Sequence, residues 1–215
     1  MPSFSRRYPK IEVDLQVDDN ISDMIAGGFD VGIRAGNMNG ANTVAREITP
    51  LHFVVCGAPS YFALKGVPEI PADLAEHNCL RLRRRGRASE ALNWSLGPER
   101  TPVDPPVHGN FVANDLTTLV TAAVEGQGLV LAPLPFVVSL FRSGALAPVL
   151  PASMCQAAHI FLHYPSRKLP VRVRCFVDFL LEHLRGHRDL GVNARSIVEP
   201  FVQKGGKVGA ALSAR

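Results

Sequence analysis

Between residues 11 and 17 apolar and polar side chains alternate without a break, Ile11, Val13, Leu15 and Val17 against Glu12, Asp14 and Gln16. A period of two is the mark of a half-buried strand. An inner strand of a parallel sheet is apolar on both faces, so this alternation predicts an edge position or a face used by another subunit. Asn20 and Ser22 stand where they can cap a short helix reaching about Ala26, which Gly27-Gly28 would end. Phe29 to Arg34 then reads as the next strand. Strand, helix and strand in so short a stretch predict a βαβ unit, with parallel pairing and a right-handed crossover.

Thr43 to Ile48 and Leu51 to Cys56 read as two strands separated by Pro50, and Pro59 can open a helix at its first turn. Ala72 to His77 reads as another short helix, followed by three candidate strands within 78–83, 92–97 and 107–113. The most secure helix is Asn114 to Gly126. It has Asn114 or Asp115 as N-cap, Leu116, Leu119, Val120, Ala123 and Val124 at helical spacing, and Gly126 as stop. A buried strand follows from Gly128, then a short helix from Phe136, a strand from Ala158 and a long amphipathic helix from Val171 to Arg185. The glycine- and alanine-rich stretch after Gly186 is expected to be a frayed or disordered tail, apart from a short helix near Ser196 to Val202.

Composition narrows the class without naming a partner. Of 215 residues 47% are hydrophobic and 20% charged, which excludes general disorder. The longest apolar run, Gly128 to Phe141, holds Pro133 and Pro135 and falls short of the roughly 20 residues that cross a bilayer. With no secretory leader legible at the N-terminus, a cytoplasmic chain without membrane contact is expected. The net charge of +4 is too small to specify nucleic acid. Cys56, Cys79, Cys155 and Cys175 lie far apart and form no CxxC pair, so they are expected to be reduced and mostly buried.

Candidate chemistry is sparse. The basic run Arg81, Arg83, Arg84, Arg85 and Arg87 reads as a solvated loop or a phosphate or carboxylate contact. His159 and His163 share one face of a strand but stand roughly 13 Å apart, too far for one metal ion. No nucleophile motif, metal set or dinucleotide loop is present, so no cofactor, metal or enzyme activity is expected. The helix start at Asn114-Asp115-Leu116-Thr117 can hold an anionic group on free backbone N–H groups, or be plainly capped. Arg34, at the end of its strand, reads as a ligand contact or a structural salt bridge.

The order of segments is itself a pattern. YPKIEVDL, FDVGIRAG, VAREITPLHFVVCGAPSYF, NDLTTLVTAAVEGQGLVLAP, GALAPVL and the helix in VRVRCFVDFL together resemble the effector-binding domain of LysR-type transcriptional regulators, over about Phe4 to Leu184. The resemblance implies an α/β fold of two Rossmann-like subdomains, similar to type 2 periplasmic binding proteins, with a small, anionic effector in the cleft. Residues 1–57 with 166–186 would form the first subdomain, 58–165 the second, and 187–215 the tail. It further implies effector contacts at Asp18, Asp19, Arg34, Asn114, Asp115, Thr117 and Pro133. A dimer or tetramer is implied, through the strand Ile11–Val17 and the helix Asp115–Glu125.

The family begins with a winged helix-turn-helix, for which there is no room before Phe4, and the first strand of the effector domain is missing. A truncated domain or a start codon lying upstream is therefore expected, with DNA bound only if an upstream helix-turn-helix exists. A solute-binding protein of a transporter and a small α/β enzyme are the alternatives.

Overall fold

A computed structural model describes residues 1–17, 27–35, 43–83, 91–98, 100–165, 169–185, 190 and 193–203. In chain order the elements are α1 (Pro2–Arg7), β1 (Gly32–Ala35), β2 (Val44–Gly57), α2 (Pro59–Lys65), β3 (Cys79–Leu82), β4 (Val112–Ala113), α3 (Leu116–Val124), β5 (Leu129–Pro133), α4 (Leu134–Ser143), β6 (Ala147–Val149), β7 (Cys155–Tyr164), α5 (Val171–Arg185) and α6 (Ala194–Val198). Short 3-10 turns occupy Pro71–Glu76, Pro151–Ser153 and Glu199–Phe201. The chain forms two compact units, residues 1–51 with 158–192 and residues 52–157 with 193–215, so β2 and β7 each pass from one unit into the other.

In the first unit β7 lies between β1 and β2, with β1 antiparallel to it, Gly32 opposite His163 and Ala35 opposite Ile160. Helix α5 buries Val173, Val177 and Leu181 against Leu162 and Tyr164 of β7, the stripe that its 3.6-residue period sets out. Helix α1 docks through Phe4, fully buried, whose ring stands 5.1 Å from those of Tyr8 and Phe176 and 5.2 Å from that of Phe179. Such offset and edge-on ring contacts add about 0.5–1.5 kcal/mol each beyond burial.

The second unit holds the larger core. Strands β3 and β4 are parallel, as are β3 and β5, whereas β2 runs antiparallel to β5 and to β6. Leu119 and Ala123 of α3, Val137 and Phe141 of α4, and Leu129 and Val130 of β5 meet in a single buried cluster. Residues 193–203 belong to this unit. Asn193 caps α6 through its side chain, Ala194 and Val198 enter the core, and the Gln203 N–H donates to the Pro148 carbonyl.

Several sequence expectations are corrected here. Residues 11–17 form no strand and residues 29–34 yield only β1 from Gly32; β1 pairs antiparallel with β7, not parallel with residues 11–17. A ladder needs a neighbour at about 4.8 Å, and among the described residues none flanks residues 11–17. The two strands expected on either side of Pro50 are one, β2, because proline sits in extended backbone wherever its missing N–H is not required. Residues 92–97 and 107–113 contribute bridges at Leu96–Val103 and Asn78–His108, with only β4 as a ladder strand. In the stretch expected to fray apart from a short helix near Ser196 to Val202, α6 forms at Ala194–Val198 and residues 193–203 pack on the second unit, since Ala194, Val198 and Phe201 supply an apolar face.

Candidate functional site

Parallel pairing puts the carboxyl ends of β3, β4 and β5 on one edge of the second unit. Leu82 is opposite Ala113, and Leu80 is opposite Val130, so β3, β4 and β5 stop nearly level at Leu82, Ala113 and Pro133. Ligands of open α/β sheets bind outside such carboxyl ends. Asn114, Asp115 and Thr117 follow directly from β4, and Pro133 closes β5 as the N-cap residue of α4. The sequence-predicted residues of this unit are therefore brought to one edge: Asn114, Asp115 and Thr117 exposed, Pro133 buried as part of its wall.

Helix α3 is fixed at both ends. At its start Asp115 Oδ2 accepts from the Thr118 N–H at 2.7 Å and from the Thr118 hydroxyl at 2.8 Å. These bonds hold the Asp115 carboxyl below the usual carboxylate range. Its geometry is that of an N-cap, with the carboxylate turned to its own helix. At the other end Gly126 takes φ +77°, the left-handed conformation that glycine adopts without strain. Gly128 then passes so close to β3 that an added Cβ would stand 2.2 Å from the Asn78 carbonyl oxygen. That approach lets the Leu129 N–H donate to the Asn78 oxygen at 2.9 Å, starting β5 in register with β3.

Asn78 joins three segments beneath this edge. Its side-chain amide donates to Asn110 Oδ1 at 3.0 Å and to the Gln127 carbonyl at 2.7 Å, while its Oδ1 accepts from the Asn110 N–H at 3.0 Å. Sequence reading passed over Asn78, since an asparagine before an apolar run looks like any turn residue. It also read the arginine run as one feature. The structure separates it: Arg81 lies within β3, and Arg83 follows β3 with its N–H on the Ala113 carbonyl at 2.8 Å, at the same edge as Asn114. Arg84, Arg85 and Arg87 lie outside the described residues.

Arg34 belongs to the first unit, on β1 opposite Phe161, half-buried and engaged by neighbouring groups. Asp18 and Asp19 lie outside the described residues. On β7, His159 Nδ1 meets Glu47 Oε1 at 2.6 Å, while His163 is fully buried. Among the described residues no three acidic, histidine or cysteine side chains gather as a metal site, and no helix is long and apolar enough to cross a membrane.

Similarity to known proteins specifies the class of this α/β architecture. The LysR substrate binding domain matches residues 1–185. A helix-turn-helix transcriptional repressor of Pseudomonas aeruginosa UCBPP-PA14 is 35% identical over 183 residues, 83% of this chain and 56% of that protein. The transcriptional activator AaeR of Escherichia coli K12 is 31% identical over 179 residues, 83% of this chain and 57% of AaeR. The regulatory domain of CrgA, a LysR-type regulator of Neisseria meningitidis, superposes with a TM-score of 0.74 at 26% identity, covering 85% of this chain and 89% of that one. That of AphB from Vibrio vulnificus gives 0.71 at 26% identity, with 85% and 89% covered. The chain belongs to the LysR family of transcriptional regulators, and residues 1–185 are its effector-binding domain. It spans little more than half the length of the curated relatives it matches.

Proposed function

We propose that this chain senses a small anionic molecule at the carboxyl edge of β3, β4 and β5 and serves to regulate transcription. The observation that carries the reading is the common edge at which Asn114, Thr117 and Pro133 meet the start of α3. Asp115 acts as a positioning residue there, through its cap on Thr118. Asn114 and Thr117 offer exposed side-chain polar groups, and Arg83, whose backbone reaches the same edge, adds positive charge near them. The proposal extends to Arg34, Asp18 and Asp19 as effector contacts of the first unit.

Relatives named as a repressor and an activator support a regulatory role in a cytoplasmic, non-enzymatic protein, and leave its sign open. DNA would be held only through a helix-turn-helix preceding the domain. Self-association is proposed through α3 and residues 11–17, where Leu15 and Val17 are 73% and 91% exposed.

The test is a thermal-shift screen of the 215-residue protein against aliphatic and aromatic carboxylates. A ligand at 100 times its Kd stabilises by about 2.7 kcal/mol, a plain rise in Tm. Asn114→Ala and Thr117→Val should each remove that rise while leaving the unliganded Tm within a degree or two. A panel without any shift, or shifts indifferent to both variants, would overturn the reading.

A further inference from the structure

Strand β3 carries two arginines toward one face of its sheet. Side chains of extended backbone alternate, so Cys79, Arg81 and Arg83 point one way while Leu80 and Leu82 point the other. Arg83 stays extended beyond β3, since its N–H donates to the Ala113 carbonyl and its backbone bridges to Ala91. That bond continues the parallel register in which Arg81 is opposite Val112 and Leu82 opposite Ala113, and it sets Asn114 beside Arg83. Neighbours across a ladder stand about 4.8 Å apart, and Arg81 lies one pleat back, about 6.6 Å from Arg83 along the strand. Two guanidinium groups therefore share the face that carries Asn114.

Like charges so placed repel unless an anion meets them. Among the described residues neither arginine pairs with a carboxylate, and the one hydrogen bond from either side chain runs from Arg81 Nη2 to the Gly109 carbonyl at a long 3.5 Å. Arg81 is half-buried, and its Nε is shut off from solvent with no acceptor among the described residues. A guanidinium taken partly out of water costs stability unless a negative group meets it. A carboxylate or phosphate matches its planar fork with two parallel hydrogen bonds. Asp115 does not supply that group, because its carboxylate is turned to Thr118.

We propose, resting on the effector reading, that the molecule sensed at this edge carries two anionic groups: a carboxylate held at Asn114 and the start of α3, and a second carboxylate or phosphate held by Arg81 and Arg83. The spacing of Asn114 and Arg83 places the two groups a few bonds apart. Arg81 and Arg83 are then the residues that select a doubly charged effector over a singly charged one of the same shape.

The experiment titrates the full 215-residue chain calorimetrically with matched pairs, butyrate against succinate and benzoate against phthalate, at equal ionic strength because salt screens exposed charges. A further titration with 3-phosphonopropionate tells a phosphate-like second group from a carboxylate. The doubly charged member of at least one pair should bind about tenfold or more tightly than its partner. Arg81→Gln and Arg83→Gln should each bring that ratio close to one. Arg83 is exposed, so its variant tests the pair even where Arg81→Gln weakens the fold. Lys65→Gln removes the same charge at the end of α2, near His77 and the entry to β3, and should leave the ratio as it is. Equal binding within every pair would overturn the proposal while the effector reading stands. A ratio that survives both arginine variants, or falls equally in Lys65→Gln, would overturn it as well. Absence of binding by every probe would overturn the effector reading and this proposal together.

Discussion

Asn78 and Tyr61 are joined through one phenolic oxygen: the Asn78 N–H donates to the Tyr61 hydroxyl at 2.9 Å. The same oxygen lies 3.2 Å from His77 Nδ1. A hydroxyl that accepts from a peptide N–H keeps its own proton, which it can give to Nδ1 of a neutral imidazole protonated at Nε2. All three groups stand at the entry to β3. Tyr61→Phe leaves the Asn78 N–H and the His77 ring nitrogen without this partner, and is expected to cost about 1–3 kcal/mol. Urea denaturation of the variant beside the parent chain measures it.

Burial lowers the His77 pKa from its ordinary value near 6.5, the dominant cause, with Asp73 and Glu76 opposing it and Lys65 adding to it. The folded protein thus binds this proton less readily than the unfolded chain does. Its contribution to stability is complete above about pH 6.5 and is lost as pH falls from there through the lower folded value. Melting temperatures measured between pH 8 and 5 should fall toward acid, and His77→Gln should flatten that slope.

Asp115 behaves in the same sense, in the carboxylate range. Its carboxyl titrates below the usual range because Thr118 donates to it twice, so the cap persists above the ordinary carboxylate range and is lost only as pH falls through the lowered value. Asp115→Ala is expected to fray the first turn of α3, visible as faster amide exchange at Thr118 and Leu119. Asp115→Asn should keep the cap and remove its acid sensitivity.

Close backbone approaches leave no room at two glycines. A Cβ on Gly128 would stand 2.2 Å from the Asn78 carbonyl oxygen, and one on Gly109 would stand 2.0 Å from that of Cys79. Backbone cannot rotate away as a side chain can, so Gly128→Ala and Gly109→Ala are each expected to destabilise by about 3 kcal/mol or more. Gly144, with open space around it, provides the control: Gly144→Ala meets only the cost of its left-handed φ of +76°.

Burial separates the thiols. It pushes Cys56 and Cys155 up, and carries Cys79 to about 12. Cys175 is half-buried, on α5. A thiolate-selective reagent at pH 8 should label Cys175 in the native protein and reach the other three only on unfolding. Mass spectrometry of tryptic peptides reads the order directly.

What the sequence conveyed depended on whether a signal was local. Helix α3 was legible to within two residues at each end because Asp115, its apolar stripe and Gly126 are all written within it. Helix α5 was legible to the residue. The parallel edge that gathers Asn114 and Pro133 was not, because it depends on β3 pairing with strands 30 to 50 positions away, through Asn78. Residues 11–17 show the converse: alternation states what a segment is suited to pair with, and pairing itself needs a neighbour that no local pattern supplies.

The second unit is also discontinuous along the chain. Val198 is fully buried in a core whose remaining members end by Leu150, apart from Ala194. During synthesis at about 5–20 residues per second, that core waits a few seconds for its last pieces while all of β7 and α5 are made. A nascent chain arrested in that interval carries an apolar notch where Ala194 and Val198 belong. Chaperones and proteases would meet that notch, and the finished domain hides it.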